Sequence, residues 1–306
     1  MSGIIEGVDQ RTNLAGNNRL ELLLFRLGGT QLYGINVFKV REAIPCPALT
    51  KMPNSHPVIR GVASIRGKTV SIVDLSQSIG RKGIDNPQQH FVILTEYNRS
   101  VQGFLVSHIE RIINISWSEV LPPPSASGAG NYMTAITKID DKIVQIIDVE
   151  QVLAEIMNIN TAVSSELAQD LTEQNTQQRK HILVADDSSV ARNQIKRTLD
   201  QIGLDTTIAK NGKEALNILK NWATQGLNVS EHVSLLISDI EMPEMDGYTL
   251  TSEIRKDPAL KDLRVLLHTS MSGTFNEALV NKVGANKFLP KFSADELAAE
   301  VQAMIQ

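Results

Sequence analysis

The chain has 306 residues, 42% of them hydrophobic and 21% charged, with a formal net charge of −4. That length accommodates about two domains of roughly 100–200 residues each, and the composition is that of a folded globular protein rather than a fibrous or disordered one. With no basic field to hold a polyphosphate backbone, nucleic acid is not an expected partner.

At the N-terminus, MSGIIEGVDQRTN carries acids and amides where a leader would have a basic region and an apolar run. No later stretch approaches the roughly 18 apolar residues of a spanning helix. A cytoplasmic protein with no direct membrane insertion is expected, reaching any membrane array only through its partners. The single Cys46 lies between Pro45 and Pro47, which excludes an internal disulfide and suits a reducing compartment.

The first half consists of short apolar runs broken by turn residues, several paired as hairpins, with brief helices between them. This pattern predicts small β-barrels. The half also repeats itself. FRLGGTQLYGINVFKV aligns with LTEYNRSVQGFLVSHI at an offset of 69, placing Gly34 on Gly103 and Val40 on Ile109. IRGKTVSIVDL aligns with IDDKIVQIIDV at an offset of 74, placing Asp74 on Asp148. Each aspartate follows a strand and precedes a helix, the position of an N-cap. No Gly-rich phosphate loop, nucleophile elbow, CxxC pair or HExxH is present, so no catalytic constellation is expected here.

Residues 158–179 lack aromatic side chains and are rich in Gln, Ser, Thr and Asn, which reads as a linker. Within it SSELAQDL can form one or two helical turns, with Ser165 as cap and Leu167 and Leu171 four apart. The domains expected are therefore 1–157, the linker 158–179, and 180–306.

Beyond the linker, apolar strands alternate with amphipathic helices, predicting a doubly wound, flavodoxin-like sheet of five parallel strands. Ala191, Ile195, Leu199 and Ile202 recur at helical spacing on the face turned to that sheet. The chain between Trp222 and His232 is longer than the pattern needs and reads as a surface loop. His181 and His232 have no further ligand at useful spacing, so they are expected to be solvated or packed.

Strand one runs into Asp186-Asp187 and strand three into Asp239 of ISDIEMPEMDG. Loops at the carboxyl ends of neighbouring parallel strands converge on one crevice. Three carboxylates gathered there repel unless a cation joins them, and hard oxygen ligands favour Mg²⁺. Strand four delivers Thr269 and strand five Lys291 to the same rim. A carboxylate nucleophile, Mg²⁺, a hydroxyl and an ammonium suit phosphoryl transfer to an aspartate.

The acid pair, SDIEMPEMDG, HTS and FLPKF, with 30 residues from Asp239 to Thr269 and 22 from Thr269 to Lys291, resemble the response-regulator receiver family. The resemblance makes Asp239 the phosphoacceptor and Asp187 a direct Mg²⁺ ligand. Asp186 acts largely through water, and the backbone carbonyl of Glu241 is a further ligand. Thr269 is implied as a switch residue together with Phe288, which is otherwise read as an edge-of-core aromatic. Members often have Pro after the lysine, whereas Phe292 follows Lys291 here.

YGINVFKVREAI and MPNSHPVIRGVASIRGKTVSIVDL resemble the CheW family of coupling proteins, which implies an all-β double β-barrel binding methyl-accepting chemoreceptors and the histidine kinase CheA. On that likeness Val40, Glu42 and Arg66 are candidates for a partner-facing surface. Core packing for Val40 and plain solvent exposure for Glu42 and Arg66 remain open. Ser64 and Ser71 depart from the commoner forms of the motif. A CheW-like half followed by a receiver resembles the CheV arrangement, a non-enzymatic adaptor whose phosphorylation is self-catalysed. A phosphate sink without control over coupling is the alternative. Haloacid-dehalogenase chemistry is set aside because its nucleophile lies in a DxD on strand one, where this chain has DDSS. A transcriptional regulator is disfavoured by the lack of a helix-turn-helix pattern.

Overall fold

The computed structural model describes residues 19–97, 100–122, 132–157, 162–175, 180–269, 283–291 and 293–306. They form two compact units, one spanning Arg19–Ile159 and the other the chain that follows. Among the described residues no helix is long and apolar enough to cross a membrane.

Among the described residues ten strands build the first unit: β1 (Arg19–Arg26), β2 (Leu32–Asn36), β3 (Val40–Pro45), β4 (Ile59–Ile65), β5 (Lys68–Asp74), β6 (Phe91–Tyr97), β7 (Ser100–Val106), β8 (His108–Ser116), β9 (Met133–Ile139) and β10 (Lys142–Ile147). They pair into two five-stranded sheets, β8-β1-β2-β10-β9 and β3-β6-β7-β5-β4. Exchanging each strand for its counterpart in the repeat turns one order into the other. The halves are interlocked, because hairpin β1–β2 is completed by β8, β9 and β10, and hairpin β6–β7 by β3, β4 and β5. The joints are the parallel pairings of β2 with β10 and β5 with β7 and the antiparallel pairings of β1 with β8 and β3 with β6. Each sheet wraps its own core, with Leu22, Leu24, Val144 and Ile146 in one and Val70, Ile72, Val92 and Leu105 in the other.

The tips of β4–β5 and β9–β10 match as well. Arg66 and Gly67 have φ of 49° and 76°, and Asp140 and Asp141 have φ of 47° and 60°. Two consecutive left-handed residues make the tight turn whose twist suits a β-hairpin. Asp74 caps the helix α1 (Leu75–Ser78), accepting from Gln77 N at 3.1 Å, and Asp148 accepts from Gln151 N at 3.0 Å in helix α2 (Val149–Met157). Both act as the N-caps the repeat predicts.

Asp148 is also buried beside Glu150, whose carboxylate lies 3.2 Å from Lys39 Nζ. Burial pushes the Asp148 carboxyl up, Lys39 opposes the rise and Glu150 adds to it. An acid with a raised folded pKa binds more protons folded than unfolded, so its contribution is most favourable at low pH. That contribution declines as pH rises from about 4 through the folded value. Asn caps helices as well as Asp. Asp148→Asn is therefore expected to gain stability over the wild type as pH rises above about 4, measured by urea unfolding. A difference between the two proteins that is flat with pH would contradict this assignment.

The second unit contains β11 (His181–Ala185), β12 (Asp205–Ala209), β13 (Leu235–Ser238), β14 (Val265–Thr269) and β15 (Lys287–Pro290) in the order β12-β11-β13-β14-β15, all parallel. It opens with helix α3 (Ser165–Asn175), followed by α4 (Ser189–Gln201), α5 (Gly212–Thr224), the short α6 (Val229–His232), α7 (Gly247–Lys256) and α8 (Ala294–Ile305). Strand side chains alternate between two cores. Leu183, Leu236 and Leu267 meet α5 and α7, while Ile182, Ile237 and Leu266 meet α4 and α8. Ala191, Ile195, Leu199 and Ile202 are all buried, as their spacing predicts.

Two stretches differ from the sequence expectation. Where a surface loop is expected before β13, α6 is seated by buried Val229 and Val233, and the rings of His181, Trp222 and His232 pack together. In the region read as linker, α3 has 11 residues instead of one or two turns, and its apolar side enters the core beneath α4 and α8. Residues 270–282, which hold most of the expected fourth helix, lie outside the described residues, as does Phe292.

Candidate functional site

β11 and β13 are neighbours, with Ala185 opposite Ser238, so Asp186 and Asp239 leave the sheet side by side. Asp239 N donates to Ala185 O at 2.8 Å, fixing that register. Ligand atoms of Asp186, Asp187 and Asp239 all lie within 4.8 Å of one another. Asp186 is fully buried and Asp239 is 4% exposed.

Lys291 enters this acid cluster from the far side of β14. Its backbone N–H donates to Thr269 O at 2.8 Å, which continues the β14–β15 ladder one residue past Pro290. Its ammonium lies 2.6 Å from Asp186 Oδ2 and 3.1 Å from Asp239 Oδ2, with the side chain entirely buried. A lysine is tolerated at such depth only when paired. Three carboxylates against one ammonium leave two negative charges, which one divalent ion balances. Clustered carboxylate oxygens are the donors Mg²⁺ prefers. The residues present thus fit that ion.

Backbone contacts hold the acids in place. Asp186 Oδ1 accepts from Ser188 N at 2.9 Å, and Ser188 caps α4 by accepting from Ala191 N. Arg192 Nη1 donates to the carbonyls of Asp186 at 2.6 Å and Asp187 at 2.8 Å. Asp239 Oδ1 accepts from Ile240 N at 2.8 Å. Behind it α7 starts so close that a Cβ on Gly247 would stand 2.2 Å from Asp239 O, so only glycine fits. The sequence by itself does not single out Arg192. Its signal is its place one turn into the helix after the acid pair, where a long side chain can reach back to the loop.

The other expected residues fall around this centre. Thr269 is buried at the end of β14, the strand beside β13. Glu241 stands two residues beyond Asp239 with its carboxylate oxygens buried, and burial raises the nearby Tyr248 phenol, with the charges of Glu241 and Asp246 adding to it. Phe288 pairs with Leu267 and packs half-buried against the core beneath α5 and α7.

In the first unit, Val40 is half-buried at the start of β3, and Glu42 Oε2 accepts from Arg66 Nη2 at 2.6 Å. Arg41 pairs with Glu96 at 3.0 Å. The repeat carries the same construction with its charges reversed. Arg111 pairs with Asp140 at 2.8 Å, and Glu110 pairs with Arg26. Under the two offsets Arg41-Glu42 falls on Glu110-Arg111 and Arg66 on Asp140, so the alignment already contained this second, inverted set.

Residues 21–157 match the CheW-like domain and residues 182–302 the response regulator receiver domain. The molecule is a CheW-like unit followed by a receiver. Over 303 residues it is 33% identical to chemotaxis protein CheV3 of Helicobacter pylori, with 94% of this chain and 95% of that protein aligned. Chemotaxis protein CheV1 of the same organism is 28% identical over 330 residues, covering 100% and 99%. The chain belongs to the CheV family of chemotaxis proteins, a coupling protein with CheW-like and receiver domains. The sensor histidine kinase CheAY of that bacterium also aligns along 100% of this chain at 30% identity, over 38% of its own length.

Removing one partner of a buried ion pair leaves the others uncompensated and costs about 3–5 kcal/mol. Lys291→Met should destabilise the second unit by about that amount in EDTA, and adding Asp239→Asn should restore part of it, as read from urea midpoints. An unchanged midpoint in Lys291→Met would show that the ammonium is not what holds the acids together.

Proposed function

We propose that the protein couples chemoreceptors to the histidine kinase CheA and that Mg²⁺-dependent phosphorylation of Asp239 regulates this coupling. The observation that carries the reading is the buried Lys291 ammonium between Asp186 and Asp239, within an acid cluster two negative charges in excess, in a chain whose other unit is CheW-like. Residues 1–157 supply the coupling domain, with Val40, Glu42 and Arg66 facing a receptor or kinase. The protein acts as an adaptor recruited to receptor arrays through these partners.

Mg²⁺ would be held by Asp187, Asp239 and the backbone carbonyl of Glu241, with Asp186 acting largely through water, and it would neutralise charge on the transferring phosphoryl oxygens. An Asp239 carboxylate oxygen attacks phosphorus. The new O–P bond forms as the N–P bond to the donor histidine breaks, and the imidazole nitrogen takes up a proton. Lys291 offers its ammonium to one phosphoryl oxygen and Thr269 its hydroxyl to another. Arg192, Ser188 and Ile240 N keep the acids in register while this occurs. Phosphorylation adds about −1.5 to −2 charges. Thr269 and Lys291 are drawn toward the new group, leaving room for Phe288 to move inward.

Labelling by acetyl phosphate or phospho-CheA should require Mg²⁺ and be lost in Asp239→Asn. Undiminished labelling of that variant would remove the site assignment. Arg66→Glu should weaken capture of receptor or CheA while leaving labelling intact. Full capture of both would exclude the Glu42–Arg66 surface.

A further inference from the structure

The two helices that begin at the acid site, α4 and α8, carry a third helix supplied by the region that joins the units. Helix α3 lies over the seam between α4 and α8. Val163 and Leu171 are buried in one cluster with Ile195, Leu199 and Ile202 from α4 and Leu297 and Val301 from α8. Polar contacts repeat the attachment on both sides. Val163 N donates to Gln201 Oε1 at 2.8 Å, Thr172 Oγ1 to Gln201 O at 3.1 Å, and Asn175 Nδ2 to Ile202 O at 2.8 Å and Gln302 Oε1 at 3.0 Å. The carbonyls of Gln201 and Ile202 belong to the end of α4, where helix acceptors lack intrahelical donors. Asn175 is only 4% exposed, so its amide is a fixture of the seat rather than a surface group.

A helix of 11 residues rich in polar side chains does not persist alone in water. Docking and helix formation are therefore one event, which makes residues 163–175 a two-state element. Both helices that hold it begin at the acid site. Helix α4 is tied there by Arg192, which grips the carbonyls of Asp186 and Asp187. Helix α8 starts three residues after Lys291, and Asp295 in its first turn accepts from Ser164 N at 2.8 Å.

We propose that the α4–α8 face is a helix-binding surface whose ligand is residues 163–175 of the same chain, and that phosphorylation of Asp239 drives this segment off it. The release step rests on the phosphorylation reading above. Lys291 now stands 2.6 Å from Asp186. A phosphoryl group on Asp239 competes for that ammonium, and the pull on Lys291 reaches α8, whose first-turn carboxylate anchors Ser164. Freed of its seat, α3 loses its helix and becomes tether between the units. The exposed α4–α8 seam is then open to an amphipathic helix from a partner. Linkage requires the converse, that loosening α3 favours the phosphorylated form.

The test is hydrogen exchange on the full chain with and without Mg²⁺ and beryllofluoride, which imitates the phosphoryl group. Exchange of residues 163–175 should rise at least about fivefold in the wild type, the lower end of ordinary allosteric coupling, and stay unchanged in Asp239→Asn. Leu171→Ala and the milder Asn175→Ala should exchange fast without beryllofluoride and take up label from acetyl phosphate more readily. Protection at residues 185–190 and 238–242 with no change at 163–175 would overturn the release while leaving phosphorylation intact. Absence of protection at the site itself would remove the phosphorylation reading and the release with it. Wild-type exchange in both seat variants would show that α3 is not held as proposed.

Discussion

An ammonium with no access to solvent cannot stay charged unless carboxylates stand against it, and the receiver unit is arranged around that requirement. Lys291 reaches Asp186 and Asp239 only because β15 lies beside β14 and β14 beside β13, with β11 on the other side. The same strand order places Thr269 at the rim and lets Gly247 bring α7 against the back of Asp239. Desolvating a lone lysine costs several kcal/mol, and two carboxylates within hydrogen-bonding distance offset it. The third acid, Asp187, raises the excess from one negative charge to two. This excess is what one divalent ion would balance.

The coupling unit depends on a different constraint. Neither half of its repeat can complete a sheet, since each hairpin finds its remaining strands in the other half. The ten strands are thus obliged to fold as one body. Equivalent positions on the two sheets keep the same backbone, including paired left-handed turns at Arg66-Gly67 and Asp140-Asp141, yet carry opposite charge order. Exposed pairs of this kind contribute only about 0.2–1 kcal/mol to stability. Their reversal therefore weighs little on folding, and it makes the two ends of one geometry chemically distinct.

Much of this was legible in the sequence because its signals are local. Alternation of apolar runs with helical stripes predicts the parallel sheet, and the acids at strand ends predict the cluster, since the side chains concerned follow directly from strand geometry. The repeat and its capping aspartates could be read for the same reason. The interlocking of the halves could not, because an alignment records which segments are alike and not which of them pair. Arg192 is not legible in the sequence because its role is to bind carbonyls, which leave no trace in residue identity. Helix α3 was only half legible. Its polar composition resembles a linker, and the residues that reveal the seat, Val163, Leu171 and Asn175 among them, do so by contacts with helices distant in sequence.

The central claim is that the charge state of one buried acid site governs how the whole molecule engages its partners. Co-sedimentation with chemoreceptors and CheA, in the presence and absence of a phosphodonor, measures this directly. The account predicts that the donor changes the amount of wild-type protein bound and the kinase output, and that Asp239→Asn shows neither change. Identical binding and output for labelled wild type, unlabelled wild type and the variant would contradict it, leaving Asp239 a sink for phosphate with no hold over coupling.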